Sequence, residues 1–181
     1  MKNKWKLTII TGAAIIGVTL LGVFGVQSSQ NKAISLEESV TSAESDIKVQ
    51  EKRRVDLIYN LADCVQQYDV HESDTLTALA ENMNNGNSMN EVNTAIAAVT
   101  YSYPELKSND NYKQLMNELS TTENMIAQYR ENYNKSITSY NRYIKKFPTR
   151  MFLDWTGYEA QNYKKLDYQA PETAPQKLFG E

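Results

Sequence analysis

His71-Glu72 is the one place where this chain sets a histidine beside a carboxylate, the pairing from which a metal centre or a general base is built. It leads to neither. A zinc motif of the form H-E-x-x-H needs a second histidine four residues on, and position 75 is Thr75; His71 is the only histidine in the chain. A Ser-His-Asp arrangement needs a serine exposed on a sharp strand-to-helix turn, and no serine here has that context. Cys64 is the single cysteine, so no intramolecular disulfide can form; its place on an apolar helical face suits a small buried hydrophobe better than a reactive thiol. Gly12, Gly17, Gly22 and Gly25 lie in the N-terminal apolar stretch, and no G-x-x-x-x-G-K, G-x-G-x-x-G or G-x-S-x-G occurs. The expectation is a chain that is not an enzyme, with no catalytic residue, cofactor or metal.

Binding chemistry is better represented. Twelve tyrosines supply area with a polar tip, and four of them, Tyr129, Tyr133, Tyr140 and Tyr143, fall in one helical stretch. Tyr133 and Tyr140 keep the spacing of a packing seam, which leaves Tyr129 and Tyr143 as candidate partner contacts. Phe152 and Trp155, among Met151 and Leu153 and close to Lys145, Lys146 and Arg150, suit a membrane interface; capping the end of a helical bundle would use the same cluster. Trp5 is a third candidate interface residue. With a net charge of -3 and a pI near 5.3, the chain lacks the clustered cations that a nucleic-acid surface needs.

The elements that must position these residues are helices. Residues 106–147 contain no glycine or proline, and Tyr112, Met116, Leu119, Glu123, Ile126, Arg130, Tyr133, Ile137, Tyr140, Ile144 and Phe147 recur at alternating steps of four and three, the period of a coiled-coil seam. A second seam runs through Leu36, Val40, Ala43, Ile47, Gln50, Arg54, Leu57, Leu61, Cys64 and Tyr68, with Ser35 and Glu38 spaced as a capping box at its start. The pattern loosens at residues 71–74, where a break or bend is expected. The run 84–90 around Gly86 reads as the clear loop, Ser88 and Glu91 as a second capping box for a short helix buried through Val92, Ala95, Ile96 and Val99, and Tyr103-Pro104 as its stop. Pro148 ends the last long helix, and the tail from Tyr158 loses periodicity.

Residues 7–26 are uncharged, and about twenty residues at 1.5 Å each match a hydrocarbon core of about 30 Å. Lys2, Lys4 and Lys6 precede this stretch and acidic residues follow from Glu37, which predicts a cytoplasmic N-terminus and a domain outside the cytoplasm. A cleaved signal peptide is the rival; the long apolar run and the Gln-Ser-Ser-Gln after it favour a retained anchor. Ala13 and Gly17 have the small-xxx-small spacing of associating membrane helices. The predicted architecture is all-α, an N-terminal transmembrane helix followed by an antiparallel up-and-down bundle of about four helices. It divides into a basic terminus (1–6), the span (7–26), the bundle (27–148) and a membrane-proximal segment with tail (149–181). In that bundle Arg54 and Glu123 each lie about 25 residues from the membrane end, on the order of 40 Å. They either meet as a buried polar pair that sets register or snorkel separately to water.

These segments resemble the LemA family, bacterial membrane-anchored helical proteins of unestablished activity. The likeness rests on RRVDLIYNLADCVQQYDVHE (53–72), YPELKSNDNYKQLMNELSTTENMIAQYRENYN (103–134), SYNRYIKKFPTR (139–150) and the following Gly157-Tyr158. This chain departs from the family pattern at Tyr59, where a proline is usual, and at 43–46, where relatives carry an aromatic-rich segment. The resemblance implies a long-helix bundle on one side of the membrane and an association with membrane quality-control proteases and envelope functions. The functional expectation is a membrane-tethered adaptor or scaffold of the cell envelope that acts through an envelope protein partner. A self-assembling homo-oligomeric bundle is the alternative, with an envelope hydrolase as a remote third.

Overall fold

The computed structural model describes residues 4–83 and 89–167, and every regular element among them is helical. In chain order these are α1 (Lys4–Gln66), α2 (Val70–Met83), α3 (Met89–Ser102), a 3-10 turn (Pro104–Ser108), α4 (Asp110–Lys145) and α5 (Thr149–Thr156). The chain divides into two compact units, residues 1–37 with 134–181 and residues 38–133, and α1 and α4 run through both.

In the second unit the two seams become a core. Leu57, Ile58, Leu61, Ala62 and Val65 of α1, Leu76 and Ala80 of α2, Val92, Ile96 and Val99 of α3, Leu106 of the turn, and Tyr112 and Leu119 of α4 are buried together. Four helices therefore share one apolar interior at this level. The earlier stretch of α1 buries Val40, Ala43 and Ile47, and α4 buries Ile126 and Tyr133. As α1 advances from Glu51 to Arg54, its ionic partners on α4 retreat from Arg130 to Glu123, which fixes the two as antiparallel. Among the described residues of the first unit, Ser29, Ala33, Ile137, Tyr140, Thr149 and Leu153 are buried.

Several boundaries differ from the sequence expectation. The apolar segment and the first seam belong to one uninterrupted helix, so Ser35 and Glu38 lie inside α1 and start nothing. Neither glycine nor proline intervenes between residues 27 and 66, and without a breaker the backbone continues its ladder. The break after the first seam falls at residues 67–69 rather than 71–74, because Asp69 takes the N-cap of α2: its Oδ1 accepts the backbone N–H of His71 at 2.8 Å and of Glu72 at 3.4 Å. The second long helix begins at Asp110, not 106. Pro104 starts a 3-10 turn that buries Leu106, and the Asn109 side chain then caps α4 by accepting the Tyr112 N–H at 3.1 Å. At its other end α4 stops at Lys145, which leaves Phe147 outside the seam and 81% exposed. The loop expected around Gly86 and the Ser88 half of its capping box lie outside the described residues. So does the tail beyond residue 167.

Among the described residues, Gly157 alone lies in the left-handed region, at φ 67°. It closes α5 in a Schellman arrangement: its N–H donates to Asp154 O and the Tyr158 N–H to Leu153 O. That reversal turns the chain into an extended strap, residues 158–167, which returns along α4 within the first unit.

Candidate functional site

Charged residues on the seams of α1 and α4 find one another. Arg54 Nη1 donates to Glu123 Oε1 at 3.3 Å and Oε2 at 3.4 Å, with side-chain exposures of 14% and 34%. The pair is half-buried, and Arg54 Nε, Gln50 Oε1 one turn away and Thr122 Oγ1 are buried without a hydrogen-bond partner among the described residues. Arg130, the other charge on the α4 seam, meets Glu51 at 2.8 Å, and Arg53 lies 3.7 Å from Glu118. Glu51 escaped sequence reasoning because it stands beside the seam rather than on it.

The turn between α1 and α2 is tied to the turn before α4. Asp69 Oδ2 accepts the Tyr103 hydroxyl at 2.6 Å, and Asn109 Nδ2 donates to Tyr68 OH at 3.3 Å. The hydrogen bond from Tyr103, followed by that from the His71 N–H, holds the Asp69 carboxyl below the usual carboxylate range, and the same bond pushes the Tyr103 phenol up. His71 contributes its backbone amide here; its ring is exposed. Beside this junction lies a cavity of about 380 Å³ lined by Asn60, Asp63 and Gln67 on one side and Asn109, Asn111 and Gln114 on the other, with Cys64 in its wall. Side-chain amides both donate and accept, so this lining matches peptide groups or hydroxyls. Burial pushes the Cys64 thiol up, which keeps it protonated and poorly nucleophilic at neutral pH.

In the first unit a hydrogen-bond chain organises the strap. The Gln161 N–H donates to Tyr140 OH at 2.8 Å, and Tyr158 OH donates to Glu37 Oε2 at 2.8 Å. Because Tyr158 spends its proton on Glu37, the 3.1 Å contact between the two phenols runs from Tyr140 to Tyr158. Tyr140 is fully buried and receives the Tyr163 ring edge-on at 5.4 Å. Further along, the Asn134 amide makes two backbone bonds to one residue, donating to Leu166 O and accepting the Leu166 N–H, each at 2.9 Å.

Of the proposed interface residues, Trp155 is 72% exposed and Phe152 is half-buried against it. A Cβ placed on Gly25 would lie 3.6 Å from the Phe152 ring, so α5 packs at the end of the apolar segment. Trp5 is exposed near the start of that segment, whose most apolar window buries nothing inside the protein. Tyr129 and Tyr143 are half-exposed, and the Lys146 ammonium sits 5.3 Å from the Tyr143 ring centre. Tyr101, at 88% exposure, is more open than either and was not singled out by spacing.

The LemA family matches residues 43–179. The chain belongs to the LemA family. Among curated proteins it is similar to magnetosome protein MamQ 2 of Paramagnetospirillum magneticum, 36% identical over 88 residues, or 48% of this chain and 32% of that protein. Magnetosome protein MamQ of Magnetospirillum gryphiswaldense is 35% identical over 68 residues, 38% of this chain and 25% of its own length. The chain thus spans a quarter to a third of the curated relatives it matches. With the apolar helix ahead of the matched region, this LemA protein is membrane-associated.

Proposed function

We propose that this LemA protein is a non-catalytic adaptor, single-pass in the bacterial cell membrane, with its N-terminus cytoplasmic and its helical units extracytoplasmic, acting through contacts with another envelope protein. The observation that carries the reading is the continuity of α1: the helix that holds the apolar segment also supplies a large share of the core of the 38–133 unit. The anchor and core residues of that unit are thus carried on one helix. The basic residues Lys2, Lys4 and Lys6 ahead of the span support the orientation. The amide-lined cavity beside Asn109 and the open Tyr101 supply surfaces suited to peptide groups.

Photo-crosslinking of the full chain in native membranes, with the reactive group placed in turn at Tyr129 and Tyr143, tests this. Recovery of the same envelope protein from both positions, and its direct binding to the purified full chain, is the expected result. Recovery of copies of this chain alone would replace the adaptor with a self-assembling bundle.

A further inference from the structure

The last two turns of α4 and the returning strap enclose a shallow cavity of about 430 Å³ that no seam or capping argument accounts for. Arg142 and Lys145 reach it from α4, Lys146 from the residue just past the end of that helix, and Lys165 from the strap, with Thr138 and Asn141 completing the wall. Among the described residues, no acidic side chain lines it. Among the described residues, neither Arg142, Lys145 nor Lys165 forms an ion pair, whereas Lys48, Arg53, Arg54, Lys113 and Arg130 all do.

Cations in the last turn of a helix are favoured by the carbonyl end of its dipole, which is reason enough for Arg142 and Lys145. The dipole does not explain Lys165. That residue is brought to the same place by a strap whose next residue, Leu166, is clamped through its backbone by Asn134. Gathering like charges is unfavourable, weakly so for exposed groups in water, and an anion between them relieves the repulsion. The site's position names the anion. Immediately after Lys145 and Lys146 come the exposed Phe147 and then α5, with its exposed Trp155 and with Phe152 against Gly25, the end of the apolar segment. Aromatic side chains at that level belong among lipid headgroups.

We infer that this cavity binds the phosphodiester of an anionic phospholipid in the leaflet where the apolar segment ends. Arg142 supplies a planar fork for two phosphate oxygens, and the lysines supply point charges. Asn141 and Thr138 are placed for a hydroxylated headgroup; the Thr138 hydroxyl already donates to Asn134 O, so it offers its oxygen as acceptor. The inference needs the anchor to be retained but is independent of whether the protein recruits a protein partner.

The test uses the full chain in phosphatidylcholine membranes with trace spin-labelled phosphatidylglycerol or spin-labelled phosphatidylcholine, and reads the fraction of each label immobilised. The wild-type chain should select the phosphatidylglycerol label. The triple variant Arg142→Gln, Lys145→Gln, Lys165→Gln should lose that selectivity by about tenfold or more, since each cation at an anionic surface is worth about fivefold. The variant Lys32→Gln, Lys52→Gln, Lys107→Gln, with the same charge change, should keep it. Equal loss in both variants would reduce the effect to diffuse surface charge and overturn the site, as would equal immobilisation of the two labels by the wild-type chain. Should the first variant lose helix content by circular dichroism, salt titration of the wild-type chain decides: the selectivity must collapse as ionic strength rises, and a salt-independent preference refutes the site. Abolition of the selectivity by inorganic phosphate at a concentration matching the labelled lipid would assign the cavity to free phosphate instead.

Discussion

Arg54 and Glu123 were legible as a possible pair because each interrupts an otherwise apolar seam, and an interruption has to be satisfied by something. What the sequence could not convey is the neighbourhood, where Gln50 Oε1, Thr122 Oγ1 and Arg54 Nε are also buried and unpartnered. Removing Glu123 therefore strands a guanidinium that already lacks one partner. Glu123→Ala should lower stability by about 2 kcal/mol, discounted from a fully buried pair because a third of the carboxylate side chain is exposed. The exchange Arg54→Glu with Glu123→Arg should recover most of that loss in chemical denaturation. A double variant no more stable than the worse single one would show that the pair sets nothing. Glu51 and Tyr101 were invisible for a common reason: residues beside a seam carry no periodic signal, so neither the ion pair of one nor the exposure of the other could be read from spacing.

Helix boundaries were the least legible part, and each error has a local cause. A capping box at Ser35 carries the right residues but nothing ahead of it stops the helix, so α1 passes through. The break at 67–69 is set by Asp69, which caps α2 through Oδ1 and is tied through Oδ2 to Tyr103, 34 residues away. Such a partner is beyond any window that reads local propensity. The Asp69 carboxyl is held below its ordinary value in the folded protein, so its contribution is complete above about pH 4 and is lost as pH falls through the lowered value. An acid titration followed by tyrosine near-UV circular dichroism should show the junction loosening below about pH 4, and Asp69→Asn should lack that transition. Gly157 makes a second test at this scale. Its φ of 67° penalises any side chain, so Gly157→Ala should cost about 1 kcal/mol and loosen the strap, seen as faster amide exchange at Tyr158 and Gln161.

The fold class was legible because two heptad-like seams and an uncharged span of membrane length are long, redundant signals, and most of the seam positions are buried as their spacing requires. The family match begins at residue 43, inside α1, so the apolar segment stands outside it and the anchor has to be argued from its own composition. Trp5 and Trp155 are the only tryptophans, which makes their depth directly measurable. In membranes containing brominated lipid, the Trp5→Phe variant should show Trp155 emission quenched by bromines near the headgroups and not by bromines deep in the chains. Unquenched emission would place α5 away from the bilayer. At residue 166, by contrast, the strap left no trace in the sequence, because Asn134 grips Leu166 through the peptide group and ignores the side chain. Position 166 is therefore free to drift through evolution without loosening the chain's return path: Leu166→Ala should leave it seated, and Leu166→Pro, which deletes the N–H, should release it. Relatives that differ at this position can still trace the same course over the same helix.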